Sequence, residues 1–109
     1  MRERRSCGTI NLEVKMRLLP IRTGEWQILA VCTPRGDCPL LEFLVGQDGG
    51  LARDARRMLR LLDRAARQGP PQNKAISHQL DREIWEFIQG QIRVLWFYDE
   101  GKMIVCRPP

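Results

Sequence analysis

The stretch Ile84–Cys106, IWEFIQGQIRVLWFYDEGKMIVC, decides the fold. Ile84–Ile88 and Ile92–Tyr98 are rich in β-branched and aromatic residues, which suit a pleated, half-buried surface. Gly90-Gln91 makes a tight turn between them, and Asp99-Glu100-Gly101 makes a second before the apolar run Met103–Cys106. Links this short join antiparallel neighbours, so the stretch predicts an antiparallel meander. The period of two puts Ile92, Val94, Trp96 and Tyr98 on one face and Arg93, Leu95 and Phe97 on the other. An arginine inside such a strand must find a partner or face a cleft. Two readings follow for Arg93: an ion pair with Glu86 on the neighbouring strand, or a group that meets a ligand.

Upstream, Ala75–Leu80 reads as a short strand and Gly69-Pro70-Pro71 as a firm helix stop. Leu51–Gln68 is the clearest helix. Leu51, Ala55, Met58, Leu61, Leu62, Ala65 and Ala66 share one face, and Arg53, Arg56, Arg57, Arg60, Arg64 and Arg67 populate the rest. Asp48-Gly49-Gly50 is a break. Before it, Asp37 serves as N-cap of a short helix with Pro39 in its first turn, ending near Gly46. Thr33–Asp37 is a loop and Trp26–Cys32 a strand. Residues 1–24 form an extension whose alternating segment Ile10–Leu18 is a strand ended by Pro20 and Gly24, either an edge strand or an arm ordered on assembly. The order β-β-α-α-β-β-β-β gives an α+β domain over 25–109, with two helices packed on one face of an antiparallel sheet.

With 43% hydrophobic and 28% charged residues in 109, the chain has a globular composition. Its apolar runs reach about five residues, far short of the roughly 20 that span a bilayer. No apolar stretch of signal-peptide length follows the basic start, so a soluble cytoplasmic protein with reduced thiols is expected. Bases outnumber acids 18 to 13 for a net charge of +5, and only Lys15, Lys74 and Lys102 are lysines. Residues 51–68 hold six bases against two acids. Guanidinium groups suit phosphate, so the excess points to nucleic acid or to a solvated helix face. The four cysteines, at 7, 32, 38 and 106, form no CxxC pair, and His78 is the single histidine. Neither a metal site nor a cofactor is expected, since P-loop, dinucleotide, HExxH and nucleophile-elbow patterns are all missing.

Asp81–Phe87 followed by Gln91–Phe97 resembles the RelE/HigB-type toxins of bacterial type II toxin–antitoxin pairs, in particular the phage-derived HigB-like branch. That branch carries a Leu-Trp-Glu-Leu-Arg strand, a Tyr-Arg-Val/Ile-x-Tyr-Phe strand, a turn and an apolar strand. Thr33–Leu44 is similar to its loop and short helix, with Pro39-Leu40-Leu41-Glu42-Phe43-Leu44 matching a Pro-x-x-Glu-Phe-Leu pattern. The resemblance spans residues 25–106. It implies a RelE-like fold and a ribosome-dependent endoribonuclease that cuts mRNA without a metal, by attack of a 2′-hydroxyl on the adjacent phosphate. It also implies a cognate antitoxin of helix-turn-helix type, and an exposed sheet edge leaves room for a homodimer.

By the same resemblance Arg93 matches the strand arginine that binds the scissile phosphate. His78 reads either as a general acid or base or as a surface histidine, and Glu86 either as a base or as the ion-pair partner of Arg93. Lys74 and Arg82 flank the short strand within reach of phosphates, or are solvated. Tyr98 stacks on a base or packs. Arg53, Arg57 and Arg60 suit ribosomal RNA or an acidic antitoxin. Two departures stand out. Ile88 occupies the place of a strand arginine, and Cys106-Arg107-Pro108-Pro109 stands where the family continues into a basic segment. They keep open a catalytically degenerate relative that binds antitoxin or RNA as a regulatory module, and a generic RNA-binding domain.

Overall fold

The computed structural model describes residues 17–101 and 103–108. The elements are β1 (Arg17–Thr23), β2 (Gln27–Cys32), α1 (Pro39–Val45), α2 (Gly49–Gln68), β3 (Ser77–Gln79), β4 (Trp85–Gln89), β5 (Ile92–Asp99) and β6 (Met103–Arg107). They build one six-stranded sheet in the order β1-β2-β6-β5-β4-β3. The meander β3–β6 is antiparallel throughout. The sheet as a whole is mixed, however, because β2 pairs with β6 in parallel through Gln27↔Met103 to Ala30↔Cys106. The two helices between β2 and the meander act as the crossover that such a pairing needs.

Both helices cover the same sheet face. The core between the layers holds Ile28 and Ala30 of β2, Leu40 and Leu44 of α1, Met58, Leu61 and Leu62 of α2, and Phe87, Val94, Trp96, Ile104 and Cys106 of the sheet. The expected apolar face of α2 is buried except at Leu51, which keeps 39% exposure in the first turn. No helix among the described residues is long and apolar enough to cross a membrane.

Beyond shifts of one or two residues at strand ends, three boundaries differ from the sequence expectation. Pro20 lies inside β1 instead of ending it, next to a register shift between Pro20 and Arg22. Proline has no N–H to donate, and an edge strand with a bulge tolerates it. The expected strand residues 10–16 lie outside the described residues. Gly49 and Gly50 open α2 instead of preceding it, with Asp48 at the N-cap. The first-turn N–H groups have no intrahelical partner in any case. Cys38, not Asp37, is the N-cap of α1, with Pro39 behind it. Asp37 closes the preceding loop: its N–H donates to Thr33 Oγ1 at 3.1 Å, and its carbonyl accepts the Thr33 N–H at 2.8 Å.

Two glycines fix how the layers meet. Gly69 ends α2 at φ +85°, and a Cβ there would sit 2.9 Å from Trp26 Nε1. Gly90, at φ +60° in the β4–β5 turn, leaves space for the Asp54 carboxylate, which accepts the Gln91 N–H at 3.1 Å. A side chain at either position would meet both backbone strain and a clash.

Cys32, Cys38 and Cys106 are free and buried. Burial pushes the Cys32 and Cys106 thiols up, and the neighbouring Cys38 adds to the Cys32 shift. The unfolded chain therefore loses these protons first, and stability present below the ordinary thiol range near pH 9 falls as pH rises through it. For Cys106, whose shift is the large one, the slope approaches about 1.4 kcal/mol per pH unit above that range. Urea unfolding between pH 8.5 and about 10.5 checks this, and Cys106→Ala should flatten the slope by that amount.

Candidate functional site

The face of the sheet turned away from the helices carries a charged row. Alternation sends His78 of β3, Glu86 of β4, and Arg93 and Leu95 of β5 to this face, because their neighbours Ser77, Phe87, Val94 and Trp96 point into the core. Register aligns His78 with Glu86 and Glu86 with Leu95. The Arg93 Nη1 donates to Glu86 Oε1 at 3.1 Å, and His78 Nε2 lies 3.3 Å from the same oxygen. The Glu86 side chain is only 8% exposed, while Arg93 keeps 51% and His78 34%. A buried carboxylate thus anchors a guanidinium and an imidazole that both reach solvent. Glu86 holds the two groups in place, and among the described residues the remaining Arg93 donors have no partner, which leaves them for an anion with two oxygens to offer.

The three residues singled out for chemistry therefore meet. Others do not join them. Ile88 pairs with Arg93 across β4 and β5, so β4 adds no second cation beside it. Tyr98 has the parity of Trp96 and sits in the aromatic cluster beyond the end of α2, 5.0 Å edge-on to the Trp96 ring. Burial pushes its phenol above the ordinary range. Lys74 lies near Tyr98 in a cleft that His78 also lines. Arg82 lies in the exposed β3–β4 loop. Arg53, Arg57 and Arg60 lie on the solvent side of α2, away from the row. With Arg64 and Arg67 they recur every three or four residues, a stripe about 21 Å long. Beside it, Arg57, Arg60 and Arg64 line a shallow groove with Ile76 and Gln89.

Sequence reading missed one cation. Arg107 pairs with Leu95 across β5 and β6 and so shares the face of the row. It is a diagonal neighbour of Arg93, about 7–8 Å away between Cα atoms. It is exposed, and no ion pair or side-chain hydrogen bond holds it among the described residues. Period two over Met103–Arg107 was the available signal, but it points at Arg93 only once the register is known.

Fold and site define an α+β domain with a two-helix layer on one side of its sheet and, on the other, an arginine-bearing row open to solvent. The chain belongs to the family described as Phage derived protein Gp49-like (DUF891), whose model matches residues 42–107, from α1 through the last strand. No curated protein and no solved structure matches the chain.

Proposed function

We propose that the chain is the toxin of a type II toxin–antitoxin pair, a RelE/HigB-like endoribonuclease that cuts mRNA on the ribosome. The observation that carries this reading is the row His78–Glu86–Arg93, whose two outer members share one buried carboxylate oxygen. The Gp49-like family is linked to toxins of such pairs. In the proposed reaction the 2′-oxygen of the RNA forms a bond to the adjacent phosphorus and the bond to the 5′-oxygen breaks. The 2′-hydroxyl gives up a proton and the leaving 5′-oxygen gains one. Arg93 binds the phosphate oxygens and offsets the charge that builds on them. His78, held by Glu86, is the proton-transfer group. The arginine stripe of α2 meets ribosomal RNA through phosphates, and a cognate helix-turn-helix antitoxin keeps the toxin silent.

Arg107 supplies the second cation that Ile88 does not. The test is induction in bacteria with mapping of new mRNA 5′ ends. Cuts inside translated codons with growth arrest support the reading, and normal growth from folded, soluble protein overturns it. Arg107→Ala is expected to lower cleavage about ten- to a hundredfold. Its exposure keeps the stability change within about 0.5 kcal/mol. Undiminished cleavage in that variant would leave Arg93 as the sole phosphate ligand.

A further inference from the structure

A cleft of about 540 Å³ opens where α2 ends, between the 69–74 loop and the edge strand β3. Its aromatic wall is Trp85, Trp96 and Tyr98, faced by Pro71, with Lys74 and Gln79 among its polar groups. Trp85 and Trp96 stack at 5.3 Å with 23° between their planes, whereas Tyr98 stands at 79° to Trp85 and 83° to Trp96. With Trp96 only 1% exposed behind them, Trp85 and Tyr98 make a corner of two nearly perpendicular surfaces that accepts one flat ring, stacked on one and edge-on to the other. Tyr98 keeps 47% exposure in the corner, so a ring that enters finds it open. Among the described residues no acidic one lines the cleft, and Lys74 gives it positive charge. Those features favour a polar planar ring on an anionic chain over an apolar peptide. His78 lines this cleft and also belongs to the charged row, so the two meet around β3, which is three residues long.

We propose that this cleft holds one unstacked nucleobase of single-stranded RNA. The proposal rests on the nuclease reading for its substrate, but base binding is measured without cleavage. The intact chain is titrated with each nucleoside 5′-monophosphate and with ribose 5-phosphate while tryptophan fluorescence is followed. At least one nucleotide is expected to quench saturably, near a millimolar dissociation constant, and ribose 5-phosphate is expected to do nothing. Tyr98→Ala weakens binding about tenfold, and Tyr98→Phe, which keeps the ring, does not. Circular dichroism confirms that both variants fold.

Equal quenching by ribose 5-phosphate would make the cleft a phosphate site and overturn the proposal. Saturable quenching by a polyproline peptide alone would make it a peptide groove, with the same consequence. No saturation by any nucleotide up to about 10 mM, or unchanged binding in Tyr98→Ala, also overturns it. Nucleotide binding without mRNA cleavage would remove the nuclease reading and leave the base site standing. Cleavage without nucleotide binding would do the reverse.

Discussion

If the proposed nuclease reading holds, the unaltered chain is expected to arrest growth when induced in bacteria, and Arg93→Ala is expected to leave growth at the uninduced rate and to yield no new mRNA 5′ ends. The size of the effect follows from what the guanidinium does. A preorganised donor aimed at charge that develops in the transition state is worth about 10²–10³ in rate. Arg93 is also held directly by the buried Glu86. The fold survives the change. Losing one partner of a fully buried pair costs about 3–5 kcal/mol, and of an exposed pair about 0–1. Arg93 is half exposed and Glu86 keeps His78 beside it, so about 1–2 kcal/mol is expected, well inside the roughly 5–15 of a small domain. Arg93→Lys keeps the charge and loses the fork, so it should retain partial activity. A folded Arg93→Ala chain that still arrests growth would take Arg93 out of the reaction.

The legible and illegible parts of this molecule divide along the range of the interactions. Ile84–Cys106 announces its strands and turns because alternation and turn chemistry are local. The same holds for the apolar stripe of α2, where 3.6-residue spacing identifies Ala55, Met58, Leu62 and Ala65. Arg93 stands out as a charge where alternation alone expects no penalty-free position, and its pairing with Glu86 needs only the hairpin register. The parallel partnership of β2 with β6 brings Ile28 beside Ile104, and no local pattern encodes a contact that distant. Arg107 falls opposite Leu95 through the register of the β5–β6 hairpin, so its place beside Arg93 follows from a turn that the sequence does announce, and it was missed because that register was not carried to the end of the strand. His78 joined Glu86 through the register of a three-residue strand, which periodicity cannot set. At the start of α2, glycines read as a break, yet Asp54 ties that helix to the Gly90 turn, and this long-range anchor outweighs the poor propensity of the first turn.

Trp96 carries the largest expected effect on stability, and two substitutions separate its contributions. Its side chain is 1% exposed, stacked on Phe87 at 4.9 Å and on Trp85 at 5.3 Å. Trp96→Ala removes the centre of that cluster and is expected to cost about 3–5 kcal/mol. For a domain of this size that lowers Tm by roughly 15–30 °C and brings the fold to its margin. Trp96→Phe behaves differently. Among the described residues the buried indole Nε1–H finds no acceptor, and an unpaired buried donor costs about 1–3 kcal/mol. Phenylalanine keeps the stacking, deletes that donor and gives up some volume, so the gain and the loss nearly offset. Thermal melts should place Trp96→Phe within about 1 kcal/mol of the unaltered chain. If the phenylalanine variant melts as low as the alanine one, the indole N–H is paired after all and its hydrogen bond, not the ring, holds the cluster. If only the alanine variant collapses, ring packing is what fixes β4 against β5, and with them the distance between Glu86 and Arg93.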